Sequence, residues 1–266
     1  MAPTANSFTT VKNSLGKFCL MLRGATNVSV LRSIPPSRKG SYDGRPAHLE
    51  SEPPVGICPC HTIKDWQIGI DMSKGTETRN RIITKAAPLF NKKGFEGCSM
   101  QDIVQVVGLE KGSLYGHFAT KEALALAAFE FAWDETCAAR LVRMDTTTNA
   151  IEKLKIHVDN VMSCPSFPGG CPLLNTIIDS DDGNATLKKA AREALKQWRM
   201  LLVTIIEEGQ RQAQVRPEIV PEEVAALLIS LLEGAMALDR LDKKTGFLQN
   251  AGRHLNFYLD SISMAH

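Results

Sequence analysis

Cys58-Pro59-Cys60-His61 and Asp179-Ser180-Asp181-Asp182-Gly183 are the places where residue type and spacing come nearest to a metal site. Structural zinc sites set paired cysteines further apart and require a second pair; Cys58 and Cys60 are separated by one residue, with no second pair nearby. A calcium loop turns on a glycine at its sixth position and closes on a glutamate at its twelfth. Here the glycine is fifth and the twelfth residue is Ala190, so the stretch reads as a solvated acidic turn ahead of a helix. No metal is expected. Cys164 and Cys171 bracket a Pro/Gly turn and could form a thiol switch, but no Lys, Arg or His between them lowers a thiol pKa, which argues against a redox role. The six histidines are scattered, and there is no His-Glu-x-x-His, nucleophile elbow, phosphate loop or dinucleotide fingerprint. The sequence therefore points away from an enzyme and calls for no cofactor.

A different chemistry gathers at Lys111, Gly112, Ser113, Tyr115 and His117. Cations and hydroxyls suit phosphate oxygens, and an exposed short helix carrying an aromatic suits base edges in a major groove. Charge agrees. Residues 1–71 and 72–125 each hold 8 Lys+Arg against 5 Asp+Glu, whereas 126–266 hold 15 against 19, so a net charge of only +2 conceals a basic part joined to an acidic one. That layout fits a nucleic-acid contact attached to a body with another task. The chain is 266 residues long and 44% hydrophobic, enough to bury a core and exclude wholesale disorder. No window reaches the roughly 18 uninterrupted apolar residues of a membrane span. Seven irregularly spaced cysteines do not make a secreted disulfide framework, and a reducing cytoplasm is expected.

The contact residues need elements that turn them outward. Thr76 is expected to cap a helix whose inner face is Ile82, Ile83, Ala86, Leu89 and Phe90, with Gly94 as its stop and a kink at Pro88, which removes the bond to Thr84. Ser99 and Asp102 form a capping box for a short helix through Val107, ended by Gly108. A tight turn leads into a helix over 111–118, and Thr120 caps a long helix reaching about Met144. Two short helices about a Gly-centred turn, behind a longer one, form a helix-turn-helix over 99–118. Ile103, Val106, Val107, Leu109, Leu114 and Phe118 are expected inside, leaving Lys111, Gly112, Ser113, Tyr115 and His117 outside. Backbone N–H groups at the helix starts near Ser99 and Lys111 offer further phosphate donors.

The run Thr78-Arg79, Ile82-Ile83, Ala86-Ala87, Leu89-Phe90, Gly94-Phe95, Ser99, Ile103, Gly108-Leu109, Lys111-Gly112-Ser113-Leu114-Tyr115, His117-Phe118 and Lys121-Glu122 resembles the N-terminal domain of TetR-type (tetracycline-repressor-like) transcriptional regulators, in order and without gaps over 76–136. Pro88, Val107 and Gly116 depart from that pattern. Gly116 costs about 0.5–1 kcal/mol relative to Ala and takes a side chain away from the recognition helix. The resemblance implies an all-α fold: a three-helix DNA-binding domain at 76–136, then a helical ligand-binding and dimerisation domain at 137–263. It implies that positions matching Lys111, Gly112, Ser113, Tyr115 and His117 lie against DNA, and that those matching Ser99 and Lys121 meet phosphates.

Beyond 137, helical spacing runs over about 147–163, 169–180, 184–213, 221–240 and 246–262, broken at Pro165, Pro168-Gly169-Gly170 and Pro217. Gly170-Cys171-Pro172-Leu173-Leu174-Asn175 resembles a stretch of one subgroup of the same family. By that resemblance the half encloses a pocket for an unknown small-molecule inducer, and its last two helices, near 221–240 and 246–262, pair with a second subunit. Val224, Leu227, Leu228, Leu231, Leu232, Ala235 and Leu238 give a stripe nearly all round its helix, with Gly234 and Ala235 allowing close approach, which fits burial on two sides. Pocket candidates by residue type are Trp133, Met144, His157, Met162, Phe167, Asn175 and Trp198, although core packing alone explains each of them. The expected protein is a homodimeric repressor on a palindromic double-stranded DNA operator, with no membrane partner. Residues 1–71, rich in Pro and Gly and lacking helical period, are expected to be a disordered leader or a misassigned start, with Met72 a natural beginning.

Overall fold

The computed structural model describes residues 74–163, 167–181 and 183–264. The expected leader at 1–71, with Cys58, Cys60 and His61, lies outside the described residues, as do Met72, Cys164 and Asp182. Among the described residues the fold is all helix, with one isolated bridge between Val215 and Ser263. In chain order the helices are α1 (Lys74–Gly97), α2 (Met100–Val107), α3 (Lys111–His117), α4 (Lys121–Arg140), α5 (Ala150–Ser163), α6 (Pro172–Ser180), α7 (Ala185–Arg211), α8 (Pro221–Leu241) and α9 (Phe247–Ser261).

Local chemistry sets most boundaries. Ser99 Oγ accepts the Asp102 N–H at 3.0 Å while Asp102 Oδ2 accepts the Ser99 N–H at 3.0 Å, so the capping box of α2 forms as read. Gly108 ends α2 at φ 72°, a conformation that costs a residue with a Cβ roughly 1–2 kcal/mol. Thr120 caps α4 by accepting from the Ala123 N–H. Four expectations need correction. Thr76 lies inside α1, which starts at Lys74. Pro88 is carried within α1, and the non-helical dihedrals there fall at Gly94 (φ 75°, ψ 171°), where glycine can turn the chain and proline could only remove one bond. α4 ends at Arg140 rather than near Met144, because the chain turns over 141–145. Val106 is 43% exposed, since the short α2 buries only the face of Ile103 and Val107.

The first four helices share one core: Ile82, Ala86, Ala87 and Phe90 of α1, Ile103 and Val107 of α2, Leu114 of α3, and Leu124, Ala125, Ala128 and Ala132 of α4. Alanines along α4 let α1 lie close. Truncating a fully buried member such as Ile103 to Ala costs about 2–5 kcal/mol. Leu187 of α7 belongs to the same cluster, so the core runs on into the C-terminal helices. There α4 packs on α5, α6 and α7, α8 lies against α7 and α9, and α9 closes onto α5.

Candidate nucleic-acid interface and buried polar site

Leu114 and Phe118 anchor α3 from below, at 0% and 3% exposure, and this orients the rest of the helix. Lys111, Gly112, Ser113 and Tyr115 are exposed and His117 is half-buried. Tyr115, at 42% exposure, stands out from the surface. Around this row the cations are held in place. The Arg79 guanidinium sits 4.5 Å over the Phe118 ring and Lys121 Nζ sits 4.2 Å over the Phe95 ring. Lys85 Nζ donates to the Val107 carbonyl at 3.2 Å, placing a cation at the C-terminus of α2. Such a surface can offer donors to phosphates and a narrow helix end to base edges.

Ser99 is differently disposed. Its hydroxyl accepts from Asp102 N–H and donates to Asp102 Oδ2 at 2.8 Å, so it has no proton left for a phosphate while the cap is intact. The hydrogen bonds from Ser99, backbone first, and then Lys93 at 3.3 Å hold the Asp102 carboxyl down at about 2. Ser99 is a cap.

The second site is inside. Trp133 and Arg140 of α4, His157 of α5, Cys171 at the start of α6, Trp198 of α7 and Glu233 of α8 meet there, all buried. Arg140 Nη2 donates to Glu233 Oε1 at 3.1 Å, and the Cys171 thiol donates to the same oxygen at 3.0 Å. The guanidinium carbon lies 4.1 Å from the Trp198 ring centre and 5.3 Å from that of Trp133. Trp198 Nε1 donates to His157 Nε2 at 3.0 Å, which fixes the remaining proton of a neutral imidazole on Nδ1. Burial, reinforced by the Arg140 charge, lowers His157 to about 3. Burial also pushes the Cys171 thiol up to about 12, outweighing the opposing pull of Arg140, so Cys171 is a thiol and a poor nucleophile at neutral pH. Among the described residues, Trp133 Nε1, Arg140 Nη1, His157 Nδ1 and Glu233 Oε2 complete no hydrogen bond.

Of the expected pocket residues, the structure brings Trp133, His157 and Trp198 together here. It separates the others. Phe167 stacks edge-on against Phe131, Met162 packs against Gly252 of α9, Met144 is buried in the turn after α4, and Asn175 lies beside a cleft. That cleft, about 310 Å³, runs between α1, α4 and α6 and is lined by residues including Phe129, Ala132, Pro172, Asn175 and Arg240. Arg140 and Glu233 escaped the sequence reading. A glutamate alone in the apolar run Leu231-Leu232-Glu233-Gly234-Ala235 is unusual, but nothing local points to Arg140, 93 positions away, as the group that pairs with it.

α6 joins the buried site to the first helices. Cys171 stands at its N-cap; one turn on, Asn175 Nδ2 donates to the Asn91 carbonyl at 3.0 Å and the Gly169 carbonyl at 2.9 Å. Near its end, Asp179 Oδ2 accepts the Phe95 N–H at 2.6 Å, beside Gly94, where a Cβ would collide with the same carboxylate. The acidic turn is therefore not merely solvated: Asp179 clasps α1, and Asp181 pairs with Lys188 at 3.1 Å. Among the described residues no group of His, Cys, Asp and Glu could hold a metal ion, and no helix is long and apolar enough to cross a membrane.

Comparison with known proteins follows these two regions. The family described as "Bacterial regulatory proteins, tetR family" matches residues 82–128, and "Tetracyclin repressor-like, C-terminal domain" matches 150–255. A TetR transcriptional regulator from Chloroflexus aurantiacus is 36% identical, with a TM-score of 0.70, over 73% of this chain and 100% of that one. A TetR-family regulator from Cytophaga hutchinsonii is 33% identical, with a TM-score of 0.69, over 74% and 100%. The HTH-type transcriptional repressor DhaR of Mycobacterium sp. strain GP1 is 24% identical over 63% of this chain and 85% of its own length. With its two helical regions so matched, the chain belongs to the TetR family of transcriptional regulators.

Proposed function

We propose that the protein is a ligand-responsive repressor that binds a near-palindromic DNA operator as a homodimer and leaves it when a small molecule occupies the buried site of its C-terminal half. The observation that carries the DNA contact is the exposed row Lys111, Gly112, Ser113 and Tyr115 on α3, fixed from below by Leu114 and Phe118. Lys111 and Ser113 are the principal contact candidates, with Tyr115, His117, Gly112 and Lys121 around them. Repression is the sign carried by the name of DhaR.

Dimerisation is supported by the apolar side chains that α8 and α9 leave outside: Leu227, Leu231, Leu238, Leu241 and Phe257. Two recognition helices about 34–36 Å apart then meet successive major grooves on one face of the duplex. Coupling is supported by α6, whose N-cap touches the buried site and whose far end holds the Phe95 N–H. By linkage, a ligand that weakens DNA binding is itself weakened by DNA to the same extent.

The test is selection from random duplexes followed by salt-dependent binding to the enriched sequence. The expected outcome is an inverted repeat, bound with a steep salt dependence that Lys121→Ala reduces by about one unit of slope. Lys111→Ala and Ser113→Ala should abolish the preference for that repeat. Retention of all duplexes alike would overturn the proposal.

A further inference from the structure

We propose that the Arg140–Glu233 pair is the recognition head for an uncharged small ligand that carries a hydrogen-bond acceptor and a donor side by side, as a carboxamide does. The inference rests on the reading of the C-terminal half as an effector site and specifies what that site takes. Arginine and a carboxylate ordinarily meet as a fork, two parallel bonds using both oxygens. Here a single bond to the carboxylate is made, Nη2 to Oε1 at 3.1 Å, and the same Nη2 also donates to the Cys171 sulfur at 3.5 Å. Arg140 Nη1 and Glu233 Oε2 are left without partners, at 5% and 8% residue exposure. Leaving such groups unsatisfied inside a protein costs about 1–3 kcal/mol each, more when they are charged. One open donor and one open acceptor on paired charges match a group with the complementary acceptor and donor.

Charge fixes the class further. The guanidinium and the carboxylate neutralise one another, His157 is a neutral ring held by Trp198, and Cys171 is a thiol, so the site carries no net charge for a ligand to balance. An anion would have to displace Glu233 from Arg140, and a cation Arg140 from Glu233; either leaves a buried charge unpaired. Trp133 Nε1 adds one more open donor, and the indoles of Trp133 and Trp198, 6.1 Å apart, give the site aromatic walls. The cleft of about 310 Å³ is a separate feature: Ala132 and Pro172, chain neighbours of Trp133 and Cys171, line it, but no residue of the cluster does.

The test uses three probes of one shape and different charge: benzamide, benzoate and benzamidine. Binding to the full-length protein is read from indole fluorescence in a Trp66→Phe background, where Trp133 and Trp198 are the emitting tryptophans. Saturable binding of benzamide, at least about tenfold tighter than either charged probe, is the expected result. Glu233→Gln keeps the shape but leaves the Arg140 charge unbalanced, so the preference should invert toward benzoate. Trp133→Phe, a milder change that tests the site should Glu233→Gln not fold, should weaken benzamide about fivefold by deleting one donor. Tighter binding of benzoate or benzamidine to the unaltered site, or binding of none of the three, overturns the assignment. Release of the selected operator is measured separately. Benzamide that binds without releasing DNA supports the assignment of the head while sinking the release mechanism, and a charged probe that releases DNA does the reverse.

Discussion

His157 shows how much one buried ring can decide. It accepts from Trp198 Nε1 and is held neutral, with a pKa near 3 against an ordinary value near 6.5. Above pH 6.5 the ring is neutral in both folded and unfolded chains and contributes no pH dependence. As the pH falls from 6.5 toward 3 the unfolded chain takes up a proton that the folded chain refuses, so stability declines by about 1.4 kcal/mol for each pH unit. Asp102, lowered to about 2, also loses its contribution on acidification, but only below its ordinary value of 3.8, so it plays no part between pH 7 and 5. Urea unfolding measured between pH 7 and 5 should therefore show a falling stability that His157→Gln flattens by about one proton, since glutamine still accepts from the indole. Parallel pH profiles for the two proteins would remove His157 as the cause. Residue types alone marked Trp133, His157 and Trp198 as pocket candidates. They did not mark Arg140 and Glu233, because a charge 93 positions from its partner has no local pattern to betray it.

At the scale of helices, the segment with the most consequence is α6. A helix of nine residues gains little stability on its own, and this one is held by contacts at both ends: the buried polar cluster at Cys171 and the Phe95 N–H at Asp179. Asp179→Ala should expose the Phe95 amide, and hydrogen exchange there should rise well above wild type while the amides of Ile82 to Ala87 in α1 stay protected. Loss of the hydrogen bond to a charged acceptor costs about 1.5–3 kcal/mol, a fall in Tm of several degrees. Unchanged protection at Phe95 would show that α6 does not grip α1. Caps made three helix boundaries legible: Ser99 with Asp102 at the start of α2, Gly108 at its end, and Thr120 at the start of α4 each act as their types suggest. Ends without such signals were not legible. α4 stops at Arg140 although Leu141, Val142 and Met144 continue an apolar spacing, because Asn160 Nδ2 takes the Arg140 and Val142 carbonyls at 3.0 and 2.7 Å and turns the chain there. Asp179 looked like an exposed acid for the same reason, its partner being 84 residues away.

The whole molecule presents two faces with opposite requirements. Within 72–266 the basic excess falls in 72–125, where DNA is proposed to lie, and the excess of acid in 126–266 keeps that half from competing for it. Along α8, the stripe read as apolar all round divides in the structure: Val224, Leu228 and Leu232 turn into the core at 0–1% exposure, whereas Leu227, Leu231 and Leu238 turn out. Gly234, which was expected to let a helix approach closely, has nothing among the described residues within 4 Å of a Cβ built on it, so no helix of the same subunit uses it for a close approach. Leu231 is the discriminating position. It is 38% exposed, so glutamate there should leave helix content and Tm of the subunit close to wild type, unlike Leu228→Glu, which would force a charge into the core. If the outward face is the dimer contact, Leu231→Glu brings two unpaired carboxylates into it, and the dimer dissociation constant should rise at least about 100-fold, or about 2.8 kcal/mol. Sedimentation equilibrium would then find a folded monomer at micromolar concentration. Operator binding should fall with it, because a half-site reader loses the gain in effective concentration that ties its second recognition helix to the same DNA. A Leu231→Glu protein that remains dimeric would move the subunit contact off α8, and with it the half-site spacing expected of the operator.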